Sequence, residues 1–163
     1  MIVNTPQQTF RAALGQFFVK ETSTENLAAA RSLIERSETA GADLLVLPEC
    51  IIARKLGMPD WGQKHAEPLD GPFVSGLREA TRGRRVTVVC TVQAKIANES
   101  RYANDLLVIQ NGELRLTYQK IHLYDAFRGK ESSYAAPGDV LPQVLQIGPV
   151  SYTHLRAHET ELH

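Results

Sequence analysis

Cysteine is scarce in this sequence of 163 residues, which contains only Cys50 and Cys90, without paired spacing. A disulfide framework is therefore not expected, and the sequence predicts a protein of the reducing cytoplasm. Long apolar runs are also missing, since the longest are strand-sized and a membrane helix needs roughly 18 or more residues. The N-terminal residues lack the basic stretch followed by an apolar run that marks a secretory signal.

An excess of charge of one sign is absent as well. Lysine and arginine together number 18, and aspartate and glutamate together also number 18. We therefore expect neither nucleic acid nor a membrane surface as a partner. No glycine-rich phosphate loop follows the first predicted strand, which weighs against a dinucleotide cofactor.

The first third of the chain has the pattern of a strand, a helix and a second strand. Residues 10–19 alternate enough to predict a strand, and a capping box of Thr22 and Glu25 predicts where a helix begins. That helix is expected to stop at Gly41. Residues 43–48 (DLLVLP) form a short, continuous apolar run, which is typical of a strand covered on both faces.

Loops and further strands follow, with one more helix among them. Residues 51–71 are predicted to be a long irregular loop, and Pro72 fits the first turn of a second helix. Strands are predicted at residues 85–96, 104–110, 113–120 and 143–148, with Asn111 and Gly112 as a hairpin turn. This order predicts a layered α/β domain with a mixed sheet.

Glu49 ends the apolar segment ADLLVLPEC, at a point where α/β sheets commonly form ligand crevices. Partial burial there would raise the pKa of its carboxyl group and make it a better base near neutral pH. The other interpretation is that Glu49 is the first exposed residue of the following loop. Position alone leaves both open.

Lys120 repeats this arrangement at the end of a later predicted strand, just before the segment IHLYDAF. A lysine at a strand end is usually solvated, so its position alone says little. His122 would share the face of Lys120 if the strand continued, either as a ligand or, more commonly, as a hydrogen-bonded structural histidine.

Taken together, LLVLPE and YQKIHLYD resemble the first two signature segments of the nitrilase, or carbon–nitrogen hydrolase, superfamily. The longer stretch YQKIHLYDAFRGKESSYAAPGD is similar to the corresponding stretch of the deaminated glutathione amidases. The resemblance covers residues 10 to about 148. It implies the N-terminal part of an α-β-β-α four-layer sandwich, no cofactor, a small amide substrate and a homodimer of the full-length protein.

The resemblance also implies roles for individual residues in a Glu–Lys–Cys triad. Glu49 would be the general base, Lys120 the cation that stabilises the oxyanion, and Glu131 a further active-site glutamate that positions the lysine or the substrate. A carboxylate is needed because only the thiolate form of cysteine is a strong nucleophile. A fixed ammonium group stabilises the negative charge of the tetrahedral intermediate.

The nucleophile itself is expected in a third family segment, with a pattern like CYDLRFPE, that this chain does not contain. Cys50 should face away from Glu49 if strand alternation continues past the strand end. Cys90 lies in the run TVVCTV and is predicted to be an inert core thiol. The chain alone is therefore expected to be inactive.

The C-terminal residues have no strand period and no family likeness. They resemble the read-through translation of a sequencing-library transposase adapter. We therefore expect a partial hydrolase domain over residues 1–149. Residues 150–163 are expected to be a non-native tail that is disordered or only incidentally helical. His154, His158 and Glu159 in that tail depart from the order of a zinc-protease motif, so no metal site is expected.

Two other hypotheses remain open at this stage. The chain could be a complete, non-catalytic α/β module that binds a small ligand or a partner through the loop of residues 51–71. Alternatively, Cys50 could be a redox-active or nucleophilic thiol paired with Glu49.

Overall fold

The computed structural model describes residues 9–126, 129–148 and 150–152. Its helices are α1 (Ser23–Thr39), α2 (Trp61–Lys64) and α3 (Pro72–Thr81), with a 3₁₀ turn at Glu131–Ser133. Its strands are β1 (Ala12–Leu14), β2 (Leu44–Val46), β3 (Thr87–Lys95), β4 (Tyr102–Gln110), β5 (Glu113–Gln119), β6 (Ala135–Ala136), β7 (Leu145–Ile147) and β8 (Val150–Tyr152).

Strands β1 to β6 form one mixed sheet, as the sequence predicts for an α/β fold. The order is β1-β2-β3-β4-β5, parallel among the first three strands and antiparallel from β3 onward. Strand β5 pairs with β4 only as far as Asp105, opposite Gln119. Beyond that point β6 takes its place, in parallel, beside Tyr102 and Ala103. The chain therefore leaves the sheet directly after β5 and returns to it at β6.

The apolar pattern of β2 is confirmed by burial on both faces of the sheet. Leu45 belongs to the larger core, which also contains Ile34 of α1 and Phe73 of α3. Leu44 lies in a second cluster on the opposite face, with Leu106 of β4. Because successive strand residues point to opposite faces, a run apolar at every position can fill two cores.

Helix α1 begins and ends where the sequence predicts, but its capping box is not formed as predicted. Thr22 is the N-cap residue, yet its hydroxyl donates to the carboxylate of Glu25 at 2.6 Å instead of accepting from the backbone. Glu25 is also held by Lys20 at 3.0 Å, which competes with the reciprocal capping bonds. Gly41, with φ of +69°, follows the helix as expected.

Strand β1 is shorter than the ten residues predicted. The backbone N–H of Gly15 still donates to Val46, but the chain then turns toward α1. At Lys20 the backbone is bonded to the Asn26 side chain, which accepts from its N–H at 2.7 Å and donates to its carbonyl at 2.9 Å. A side chain here satisfies the backbone groups of a residue that lies outside the sheet.

The hairpin turn is confirmed, with positive φ angles at Asn111 (48°) and Gly112 (80°), the combination that a type I′ turn requires. Strands β7 and β8 pair outside the main sheet. Three residues of the predicted tail, Val150–Tyr152, thus form a strand, contrary to the expected disorder. The domain boundary itself remains a prediction, and residues 153–163 lie outside the described residues. Within the described ranges, no helix is long and apolar enough to cross a membrane.

Candidate active site

Glu49 is placed by a short extension of β2 along β3. Strand pairing ends at Val46, but the N–H of Leu47 donates to Val89 at 2.8 Å and that of Ile51 donates to Thr91 at 3.0 Å. The backbone of Cys50 adopts a positive φ of 55° and donates to the hydroxyl of Thr91 at 2.7 Å. The carboxyl end of β2 therefore carries Glu49 in a turn tied to the neighbouring strand.

The segment after Glu49 is buried, although the sequence predicts an irregular loop from residue 51. Ile51, Ile52 and Ala53 have almost no exposed surface. Gln93 accepts from the N–H of Ile52 at 3.1 Å and donates to the carbonyls of Cys50 and Ala53, each at 3.0 Å. A buried loop needs such partners for its backbone, and a carboxamide supplies both donors and an acceptor.

Lys120 is held at the point where β5 leaves the sheet. Its N–H donates to the carbonyl of Asn104 at 2.9 Å, and its own carbonyl accepts from Gly138 at 2.9 Å. The strand does not continue to His122, whose side chain is exposed. The condition for a face shared by Lys120 and His122, a strand that continues past Lys120, is therefore not met. Strand β4 pairs with β5 up to this point and with β6 beyond it.

Glu131 opens the 3₁₀ turn that precedes β6. Its N–H donates to the carbonyl of Tyr124 at 3.1 Å, and its carboxylate accepts from the N–H of Tyr124 at 2.6 Å. Asp125 accepts from the N–H of the next residue, Ser132, at 3.0 Å. These bonds fix a turn whose buried carboxylate points toward the end of β5.

The three residues singled out from the sequence meet at one point. The Lys120 ammonium lies 3.1 Å from Oε1 of Glu49, and 3.1 Å and 2.9 Å from the two oxygens of Glu131. Asn104 joins them, because its amide nitrogen donates to Oε1 of Glu49 at 2.8 Å and to Oε1 of Glu131 at 3.2 Å. Asn104 is not among the site residues predicted from the sequence. Its only signal is a polar residue in the otherwise largely apolar, fully buried part of β4.

The electrostatics of Glu49 differ from the prediction. Desolvation raises its pKa, but hydrogen bonds from Asn104 and Lys120 and the charges of Lys120 and Arg54 outweigh it, so the pKa is lowered. For Lys120, desolvation lowers the pKa, but the bonds and charges of Glu131 and Glu49 raise it overall. Both groups are therefore charged at neutral pH. The sequence could not reveal this, because the partners lie far away along the chain.

These groups line an open cavity of about 470 Å³. Residues 53–59 and 61–62 form one wall, with Trp61 stacked on His65 at 4.2 Å between ring centroids. Tyr102 and Tyr134, stacked at 6.2 Å, line it as well. The cavity thus presents charged groups beside aromatic surface, which is the composition of many small-molecule sites.

The structure corrects the prediction for Cys50, which lines this cavity instead of facing away from Glu49. Its positive φ interrupts the strand alternation on which the prediction depended. Burial raises the pKa of the Cys50 thiol to about 12, with further contributions from the charges of Glu49 and Glu131. Cys90 is a buried core thiol, as predicted, and burial raises its pKa to about 12 as well. Neither is a thiolate at neutral pH.

The predicted histidine pair, His154 and His158, lies outside the described residues. Within the ranges that the structure does describe, no group of three or more histidine, cysteine, aspartate or glutamate side chains is arranged to hold a metal ion.

The carbon–nitrogen hydrolase family matches residues 11–152, and the chain belongs to this family. The resemblance noted in the sequence and the mixed α/β fold expected from it are confirmed. The match runs three residues beyond residue 149, through the end of β8.

Among individual proteins, the chain is 31% identical over 135 residues to deaminated glutathione amidase of Escherichia coli O157:H7, covering 83% of this chain and 51% of that protein. It is 35% identical over 131 residues to a hydrolase of Mycobacterium tuberculosis (strain CDC 1551 / Oshkosh), covering 78% and 45%. A solved structure of an amidase variant from Nesterenkonia sp. AN1, with acrylamide added at its active-site cysteine, superimposes with a TM-score of 0.72 at 23% identity, covering 88% and 55%. The chain spans about half the length of these relatives.

Proposed function

We propose that this chain supplies the base and the oxyanion-stabilising cation of an amidase that hydrolyses non-peptide carbon–nitrogen bonds in small amides. The observation that carries the proposal is the Lys120 ammonium, held between the carboxylates of Glu49 and Glu131 at the wall of a cavity. Family membership supports the same reaction class.

Glu49 is the general base in this proposal. Its side chain is 60% exposed, and within the described part of the chain both donors, Asn104 and Lys120, bind the same oxygen, Oε1. The other oxygen can then accept a proton from a thiol that enters the cavity. A lowered pKa keeps Glu49 ionised at neutral pH, which a base requires.

Lys120 stabilises the oxyanion. The thiolate attacks the amide carbon, and the negative charge that develops on the carbonyl oxygen lies beside a fixed ammonium group. The intermediate collapses, the C–N bond breaks, and the amine leaves with the proton held by Glu49. Glu49 then deprotonates a water molecule, which attacks the thioester and releases the acid and the thiol. Glu131 holds Lys120 in place throughout.

The thiol comes from neither cysteine of this chain, because burial raises the pKa of both Cys50 and Cys90 to about 12. We propose that it lies in a CYD-like segment beyond these 163 residues, so that the chain by itself is inactive. The active-site cysteine of the Nesterenkonia amidase and the twofold length of the relatives support this view.

The likeness to deaminated glutathione amidase makes a deaminated tripeptide the first substrate to assay. We further propose that the full-length protein acts in the cytoplasm as a homodimer, that it uses no cofactor, and that neither nucleic acid nor a membrane is a partner. Gel filtration and fractionation of the native protein test the first two points.

The decisive experiment extends the gene through its genomic locus and measures ω-amide hydrolysis. We expect activity in the extended protein and none in the 163-residue chain. Glu49→Gln should lower kcat/KM by about 10²–10⁴-fold, whereas Glu113→Gln, on the exposed hairpin, is the matched control and should leave it unchanged. An extension without a cysteine in a CYD-like segment, or full activity after Glu49→Gln, would overturn the proposal.

A further inference from the structure

Asn104 bonds both carboxylates of the charged cluster and the backbone of Lys120, although nothing in the triad pattern includes it. Its side chain is buried, with 2% of the residue exposed, in the middle of the sheet. The amide nitrogen donates to one oxygen of Glu49 and one of Glu131, at 2.8 Å and 3.2 Å. Its backbone carbonyl accepts from the N–H of Lys120 at 2.9 Å. One residue therefore links two loops and the end of β5.

We propose that Asn104 is a positioning residue, which holds Glu49 and Glu131 at the separation at which one ammonium group, that of Lys120, binds both. This assignment deepens the amidase function proposed above and rests on it for its catalytic meaning. The placement of the two carboxylates by one amide does not depend on that function, because the hydrogen-bond distances alone support it.

The charges explain why a carboxamide is suited to this position. Two carboxylates and one ammonium leave one negative charge in excess, and the carboxylates repel each other. An amide N–H₂ group supplies two donors without adding negative charge. Aspartate in its place would add a third carboxylate, and an aliphatic residue would leave both glutamates short of a donor.

The geometry also determines which oxygen of Glu49 is available for catalysis. Asn104 and Lys120 both bind Oε1, so the carboxylate is held by one oxygen and presents the other. Glu49 is largely exposed and would otherwise change rotamer freely. Misplacement of a reacting group by about 1 Å can lower a rate about 100-fold, so this restraint matters for the proton transfer.

A matched control is available in Asn26, a second carboxamide buried to the same degree. Among the residues that the structure describes, its amide bonds only to backbone groups, those of Lys20 and Ile52, and to no carboxylate. Asn26→Ala therefore removes a buried amide of equal size without removing a donor from Glu49. A purely structural role for Asn104 predicts that the two variants behave alike.

The test is an NMR titration of the 163-residue chain labelled at its glutamate carboxyl carbons. In Asn104→Ala we expect the pH at the midpoint of the Glu49 titration to move upward, because the hydrogen bond that Glu49 accepts from Asn104 is lost. Asn26→Ala should leave that midpoint unchanged. Asn104→Asp, which keeps the shape, serves if the alanine variant does not fold, and should move the midpoint upward through like-charge repulsion.

An unchanged Glu49 midpoint in whichever Asn104 variant folds, or an equal shift in Asn26→Ala, overturns the assignment. In the extended protein, Asn104→Ala should lower kcat/KM about 10–100-fold and move the acidic limb of its pH profile upward. Because the titration needs no activity, the two proposals can fail separately. A shifted midpoint in a protein without amidase activity supports the placement by Asn104 and contradicts only the proposed function.

Discussion

Glu49 and Glu131 bind the same ammonium group, yet their surroundings differ sharply. The side chain of Glu49 is 60% exposed, whereas that of Glu131 is 10% exposed. Glu49 accepts through one oxygen from Asn104 and Lys120. Glu131 accepts through both oxygens, from Lys120, from Asn104 and from the backbone of Tyr124.

This difference separates two roles for one residue type. A carboxylate whose oxygens are both engaged by donors cannot take up a proton without losing those bonds, and it is suited to hold a cation. A carboxylate bound through one oxygen at the cavity wall can accept a proton while it stays in place. This difference supports the proposed roles, positioning for Glu131 and proton transfer for Glu49.

The largest effect is expected when the shared cation is removed. Lys120→Met removes the one ammonium group that both carboxylates bind, one of which is buried, and should lower the free energy of unfolding by about 3 kcal/mol. Urea denaturation at pH 7 measures this. Lys20→Met is the control and should change the free energy of unfolding very little, since Lys20 and its partner Glu25 are both about half exposed. Equal losses of unfolding free energy in the two variants would contradict the view that Lys120, Glu49 and Glu131 form a coupled, partly buried cluster.

The second prediction compares the two glutamates directly. Glu131→Gln places a neutral amide among four donated hydrogen bonds and should cost about 2 kcal/mol. Glu49→Gln should cost less than about 1 kcal/mol, because its side chain is mostly solvated. Urea denaturation of both variants measures the difference. A larger loss of unfolding free energy in Glu49→Gln than in Glu131→Gln would contradict the roles proposed for the two glutamates.

A smaller effect is expected from moving Lys120 without changing any charge. A Cβ atom at Gly138 would lie 2.5 Å from the carbonyl oxygen of Gln119, which immediately precedes Lys120. Gly138→Ala should therefore displace the end of β5 and cost about 1.5 kcal/mol. At Gly129 the nearest atoms lie 3.5 Å away, so Gly129→Ala should stay within about 0.5 kcal/mol of the parent. Differential scanning calorimetry of both variants provides the measurement. An unchanged melting temperature in Gly138→Ala would show that the end of β5 can shift at no cost to make room for the added methyl group.

The smallest effect is expected at Asp105, a carboxylate that is buried like Glu131 but lacks the hydrogen-bond donors that surround Glu131 among the described residues. Its Oδ1 atom is buried and finds no hydrogen-bond partner among the described residues, and desolvation raises its pKa to about 6. An unfolded aspartate titrates near pH 3.9. The folded state thus binds more protons between about pH 4 and pH 6, so this group lowers stability as the pH rises through that window.

Asp105→Asn should remove this loss and leave the chain on the order of 1 kcal/mol more stable than the parent at pH 7. The difference between variant and parent should grow from pH 4 to pH 6 and then stay constant. Glu49 contributes with the opposite sign, because its lowered pKa adds stability that disappears as the pH falls below about 4. A stability difference that is independent of pH would mean that Asp105 is not desolvated.

Much of the fold follows from local patterns. The continuous apolar run of β2, the stop of α1 at Gly41 and the hairpin turn at Asn111 all lie where the sequence predicts them. The burial of residues 51–53 does not follow in this way, because it depends on Gln93, a partner some 40 residues away along the chain. The end of β1 at Leu14 does not follow from the pattern of residues 10–19 either.

The site shows the same division. The segments LLVLPE and YQKIHLYDAFRGKESSYAAPGD were enough to single out Glu49, Lys120 and Glu131. The direction of the Glu49 pKa shift, the side to which Cys50 turns and the part played by Asn104 were missed. Each depends on atoms that approach only when β2, β4 and the turn before β6 are assembled.

By itself, the sequence determined the helices α1 and α3, the strands β2 to β5, the family and the charged residues, because hydrophobic period, turn chemistry and short motifs act between near neighbours along the chain. Only the tertiary structure decided how these charges balance. Desolvation of Glu49 is outweighed by donors from β4 and from the end of β5, and the strength of such contacts depends on distances in space, which no spacing along the chain records.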